Sequence, residues 1–396
     1  MVSNFVTASL AGFLYLTTVT AAPFSYANNS LSNSFPNSNA SQIEHIERKA
    51  HGTIPTPFST VPGSVGKPLS DETLISLEFI AFNELFEVAF FTELIANITT
   101  RVSGYTFELG DAKDRDYILK SLNTILAQEE VHALWVNGLL QKSTGSVILP
   151  CEYNFLVSDF FEAIALASKF TDANQGVLQD ITVLFGTQND STLIRSLVAV
   201  AGQEGEQNGW FRSLLGKSPS ALPFLTANIG DLDYSFLIQE FVVPGSCPNI
   251  TDNPLTNIPL PIFPPLNILT QNIRPVQQNL EFGFRLPSSG PDPAWKSDYS
   301  GLQMTYMNQQ NNVTVAPLTN VHTNGDIVTF NAFFPFDEAA FGNGLTIALV
   351  THAGVLFPNQ NKVSNATVYG PGMIERQLGI ELLLEFRGLR VDRGGS

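Results

Sequence analysis

The sequence predicts an α+β chain in two parts, an antiparallel four-helix bundle followed by a small antiparallel β domain. Three observations carry this. Between residues 70 and 215, four long segments repeat apolar residues at helical spacing and are joined by short connections. A proline cluster follows, Pro254, Pro259, Pro261, Pro264, Pro265 and Pro275, which neither a helix nor a central strand tolerates. Beyond it the apolar period falls towards two, in Leu280–Phe284, Val313–Val315, Ile327–Phe330 and Leu345–Leu349, with Gly, Asn and Pro between the runs.

Taken in order, residues 1–21 read as a secretory signal. They contain no charged side chain, an apolar run from Leu10 to Leu16, and Val19 and Ala21 at the small-residue positions of a cleavage site. Residues 22–70 are rich in Asn, Ser, Pro and Gly and are expected to form a disordered leader, with Arg48-Lys49 as a dibasic processing signal. At Ser70-Asp71-Glu72 a capping hydroxyl and two acids mark a helix N-terminus. The helical segments then run to about Ile98, from Asp111 to Gln141, from Asn154 to Phe185 and from Ser191 to Leu215, with a short fifth from Tyr234 to Val243. The bundle is thus placed at 70–243, a Pro-rich linker at 244–275 and the β-rich part at 276–396, where Ile374–Arg390 fits either helix or strand.

Composition excludes several classes. Thirty-six acidic residues against twenty basic give a net charge of −16, and no Lys/Arg cluster exists to meet phosphates, so neither nucleic acid nor an anionic membrane surface is expected as a partner. No segment after the signal is apolar for long enough to span a membrane. In an oxidising compartment Cys151 and Cys247 read as one disulfide, the alternative being two buried thiols. Asn-x-Ser/Thr triplets at Asn28, Asn39, Asn97, Asn189, Asn249, Asn312 and Asn365 agree with a secreted glycoprotein, at the cell surface or associated with wall or matrix. Nucleophile elbows, zinc spacings and dinucleotide glycine patterns are missing. The 30 phenylalanines read as core packing.

The chemistry lies in the helices. Glu84 and Glu87 sit among Phe82, Leu85, Phe86, Phe90 and Phe91, and an unpaired buried carboxylate needs a partner, a metal or a proton. Glu129 and His132, three apart, share a helix face as two ligands of one ion must, and Glu204 and Gln207 repeat that spacing. Glu84 with Phe91 seven residues on, Glu129-Glu130-Val131-His132-Ala133, and Gln203-Glu204-Gly205-Glu206-Gln207-Asn208-Gly209-Trp210 resemble the ferritin-like di-iron proteins. The last string is similar to secreted fungal members named for stress response and late sexual development. The resemblance implies a ferritin-like bundle whose helices offer Glu, Glu-x-x-His, Glu and Glu-x-x-His to two irons. This chain departs from that pattern. Gln207 stands at the second His, and Thr171 at the third-helix Glu, with Asp172 turned about 100° away. In another register Glu162 is the third-helix ligand.

The implied ligand set is therefore Glu84, Glu129, His132, Glu204 and Gln207, holding one or two iron or manganese ions, or none if these side chains form a hydrogen-bonded layer. Two functions follow. One is a secreted protein that keeps the bundle and a degenerate metal site, tied to stress or development by resemblance and without catalysis. The other is an extracellular metal-dependent oxidase or peroxide-handling enzyme.

Overall fold

The computed structural model describes residues 24–26, 33–55, 68–106, 112–248, 258–288 and 293–375. The expected signal peptide at 1–21 and the stretch 376–396 lie outside them.

The chain is α+β, in three layers. The four long helices are α2 (Asp71–Thr100), α3 (Ala112–Thr144), α4 (Phe160–Thr187) and α5 (Ile194–Leu214), with α6 (Gly230–Glu240) after them. Helix α2 is the centre. Ser70 caps it by accepting from the Thr73 amide, and every residue from Leu77 to Thr92 is buried. A helix apolar all round must be enclosed, and α3, α4 and α6 pack around it. Rings fill the interior: Phe86 lies 5.2 Å edge-on from Phe170 and 5.6 Å from Tyr153, while Phe91 stacks on Phe211 at 5.8 Å.

The region 22–70, expected to be disordered, is ordered in large part. Helix α1 (Ala40–Ala50) begins at a capping box between Asn39 and Gln42 and packs on α3, burying Ile46 and Ala50. Upstream, Phe24 and Phe35 are buried, the Tyr26 hydroxyl donates to the Leu85 carbonyl at 2.7 Å, and Asn33 bonds Glu130. Too few apolar residues mark this stretch to suggest a core of its own; it is held because α3 lends it one.

The third long helix starts later than expected. Asp159 accepts from the Glu162 amide at 2.9 Å and fixes the first turn at Phe160, leaving 154–158 outside the helix. Cys151 therefore lies in the connection before the helix.

The β layers comprise β1 (Asn267–Ile268), β2 (Gln278–Arg285), β3 (Leu302–Asn308), β4 (Thr314–Pro317), β5 (Thr319–Asn324), β6 (Ile327–Phe334), β7 (Leu345–His352) and β8 (Thr367–Glu375), with a short helix α7 (Gln360–Ala366) before the last. They form two antiparallel sheets ordered β1-β2-β6-β5 and β4-β3-β7-β8. Alternation assigns the faces of the second sheet. Met304, Tyr306, Ala348 and Val350 face the first sheet with Phe282, Phe284 and Phe330, whereas Met307, Leu345, Ile347, Leu349 and Met373 join the helical core. The second sheet is thus an inner layer between helices and outer sheet, with β7 against α4 and β8 against α6.

This corrects the expectation of a β domain set apart by a linker. Of 244–275, residues 249–257 are outside the described set, but Ile258 and Leu266 are buried and β1 pairs with β2. Polar ties reinforce the junction: Thr226 Oγ1 donates to the Leu345 carbonyl at 2.6 Å, and Lys217 on the helical side meets Glu375 of β8 at 2.5 Å. No helix among the described residues is long and apolar enough to cross a membrane.

Candidate metal centre

Three helices bring the predicted carboxylates and imidazole together. Glu84 comes from α2, Glu129 and His132 from α3, and Glu204 from α5, with one ligand atom from each lying within 4.8 Å of all the others. Glu84, Glu129 and Glu204 are fully buried, and the His132 side chain retains 12% exposure. The His132 Nδ1 faces two carboxylates, at 3.0 Å from Glu129 Oε2 and 3.4 Å from Glu84 Oε2.

The fourth wall differs from the sequence expectation. Gln207 reaches the cluster through its amide nitrogen, which donates to Glu129 Oε1 and, at 3.4 Å, to Gln128 Oε1, while its oxygen has no hydrogen-bond partner. Gln207 thus donates to Glu129, and its buried Oε1, without a partner among the described residues, stays available to an ion. Asn174 of α4, which the sequence reading missed, donates to both oxygens of Glu204 at 3.1 and 3.3 Å. Thr171, one turn before it, is buried at the third-helix position. Glu162 is exposed, nine residues away, and accepts from the Ser158 amide and hydroxyl at 2.9 and 2.7 Å, so the alternative register fails. Asp172 is turned aside as expected, taking a bond from Asn208 at 2.7 Å and facing Arg212 at 3.9 Å.

Electrostatics make this cluster costly without a cation. Burial pushes Glu84 up to about 7, against the pull of His132 and with Glu129 adding to the rise. Burial likewise raises Glu204 and Glu87, with neighbouring carboxylates adding to it. Burial pulls His132 down, but Glu84 and Glu129 more than reverse this and hold the imidazole above its ordinary value. Apart from the His132 Nδ1 at 3.4 Å, Glu84 faces no hydrogen-bond donor among the described residues, and Glu87 Oε2 faces none. Buried acceptors are ordinarily satisfied, and a cation or a proton satisfies these. Three carboxylates and an imidazole bearing on one point fit a divalent ion of the iron, manganese or zinc kind.

The neighbouring residue Glu130 points away, bonded to Asn33. Burial also lifts it to about 7, while Asn33 and Lys49 lower it. A cleft of about 600 Å³ beside α4 and α5 is lined by Asp172, Gln175, Asn208, Trp210 and Arg212, and none of the four donors opens into it.

Cys151 and Cys247 are joined in a disulfide. Among the expected glycosylation sites, Asn28 and Asn249 fall outside the described residues. Asn39, Asn189, Asn312 and Asn365 are exposed, whereas Asn97 is half-buried in α2. No protein family matches the chain, and no curated protein sequence matches it.

Proposed function

We propose that Glu84, Glu129, His132 and Glu204 hold one divalent transition-metal ion, iron or manganese, inside a ferritin-like bundle, in a secreted glycoprotein that binds metal without turning over a substrate. The observation that supports it is the convergence of three buried carboxylates and the half-buried His132 within 4.8 Å, with the Glu84 oxygens facing no donor but His132 among the described residues. A hydrogen-bonded layer needs donors for its acceptors, and here acceptors predominate. The stress-response or developmental association rests on the resemblance of the α3 and α5 strings alone.

One tightly held ion is favoured over two. The family pattern takes its second ion on a third-helix carboxylate and a second imidazole, and Thr171 and Gln207 provide neither. Binding without turnover is favoured because His132 is the only donor with exposure, so little space is left for a substrate beside the ion.

The test is iron, manganese and zinc content of the full chain purified from a secretory host, for wild type, His132→Ala and Gln207→His. About one equivalent in wild type, lost in His132→Ala and held more tightly in Gln207→His, supports the proposal. No metal in wild type and none gained in Gln207→His leaves the polar layer as the reading. Recovery of the glycosylated chain from the medium tests secretion.

A further inference from the structure

We propose that Glu87, together with Thr171 and Asn174 on α4, provides a second and weaker oxygen-only subsite for a hard divalent cation beside the His132 centre; this rests on the metal reading above. The family pattern has no role for Glu87. It follows Glu84 by three residues and so lies one turn along the same face of α2. It is fully buried, an unusual state for a carboxylate that touches no cation. Its Oε1 accepts from Asn83 Nδ2 at 2.8 Å, and its Oε2 has no partner.

The same deficit recurs across the interface. α2 packs on α4, and there Thr171 Oγ1 and Asn174 Oδ1 also lack partners, as does Asn83 Oδ1. Asn174 is placed at the edge of the first centre by its two bonds to Glu204. As the side chains stand, the Thr171 hydroxyl is the one donor group among these four acceptors unless Glu87 holds a proton, so either a proton or a cation must satisfy the set. The charges that bear on Glu87 are those of Glu129, Glu204 and Glu84, all carboxylates. The absent third-helix carboxylate is thereby replaced from a different helix.

Glu87 stands outside the group of atoms lying within 4.8 Å of one another, so occupancy requires side-chain rotation, which makes this site the weaker one. Oxygen donors without imidazole select a hard ion, such as manganese or magnesium, over zinc.

The experiment is equilibrium dialysis of the full chain against Mn²⁺, with bound metal counted by elemental analysis and fold checked by circular dichroism. Wild type is expected to bind about two equivalents, the second at least about tenfold more weakly. Glu87→Gln, a neutral isostere, should lose the weak equivalent and keep the tight one. Thr171→Glu should tighten the weak one by about tenfold or more. Two equivalents retained in Glu87→Gln overturn the inference. One equivalent in wild type, unchanged in Glu87→Gln, also overturns it and leaves the single-ion centre standing, whereas no manganese in wild type removes both. If Glu87→Gln does not fold, Thr171→Glu decides, and no gain in affinity refutes the subsite.

Discussion

Stripped of metal, the protein should lose stability as pH rises from 5 to 8, and bound metal should offset part of that loss. Glu84 is held at about 7 against an ordinary 4.5. Between those values the unfolded chain has released this proton while the folded chain retains it, so the folded state binds more protons and its stability falls with rising pH. Above pH 7 the loss from Glu84 alone is about 3 kcal/mol. Burial also lifts Asp172, Asp233 and Glu130 to about 7, with Glu375 adding to the rise at Asp172 and hydrogen-bonding neighbours opposing it in all three, and each adds loss of the same sign. The raised His132 acts in the same direction, since the stability it confers as a cation is lost as pH climbs through its folded value. A divalent ion competes with protons for Glu84, His132 and Glu204, so its contribution should grow over the same interval. At 100 times the dissociation constant it reaches about 2.7 kcal/mol, which moves Tm by about 5 °C in a large domain. Calorimetry at pH 5, 6, 7 and 8, in chelator and in excess Mn²⁺, reads both slopes. A chelated Tm that rises across this range, or a metal increment that does not grow with pH, would refute the reasoning.

Other perturbations have defined outcomes. His132→Ala should abolish the metal increment in Tm while the chelated protein keeps its falling pH profile, both visible in the same calorimetry. Replacing both Cys151 and Cys247 by Ser should cost up to about 4.7 kcal/mol, because the bridge closes a loop with a sequence separation of 96; an unchanged urea midpoint would sink this. Gly176→Ala gains helix propensity of about 1 kcal/mol. Its Cβ, however, would stand 2.4 Å from the Thr226 carbonyl oxygen and 2.9 Å from the Asn228 amide nitrogen, both backbone atoms. Net destabilisation of about 1–3 kcal/mol is expected in urea, and a stabilised variant contradicts the packing described. Phe86→Ala should cost about 3–5 kcal/mol, since its ring is fully buried against four others.

The four long helices could be read from sequence because their signals are local. Ser70 does cap α2, and the three-residue spacing of Glu129 and His132 does put them on one face. What escaped depended on other parts of the chain. Helix α1 carries a capping box in Asn39 and Gln42, but the flanking Asn and Ser hid it and its apolar face is small. Strand β3 is buried on both faces, so Leu302–Asn308 shows no clean alternation, as expected of a central layer. Strand β8 runs through Gly370-Pro371-Gly372, which looks like a turn. Gly370, at φ +142°, is needed there because a Cβ would meet Leu349 at 2.6 Å. Asn174 belongs to the site only because α4 and α5 pack at one particular rotation, which no spacing along either helix specifies.

The inner sheet also has a consequence for the order in which the chain is made. Strands β7 and β8 pack on α4 and α6, and Met307 of β3 joins the helical core, yet all three strands follow residue 301. The helices emerge first, and their sheet-facing side must wait, exposed and apolar, until the last quarter of the chain arrives. Cys151 and Cys247 both precede β1 and the strands after it, so the bridge between them can close during that interval. It then ties the connection before α4 to the segment after α6 while the covering layer is still absent. Synthesis stalled or truncated before residue 302 would leave a helical product that holds every metal donor but has an uncovered, adhesive flank.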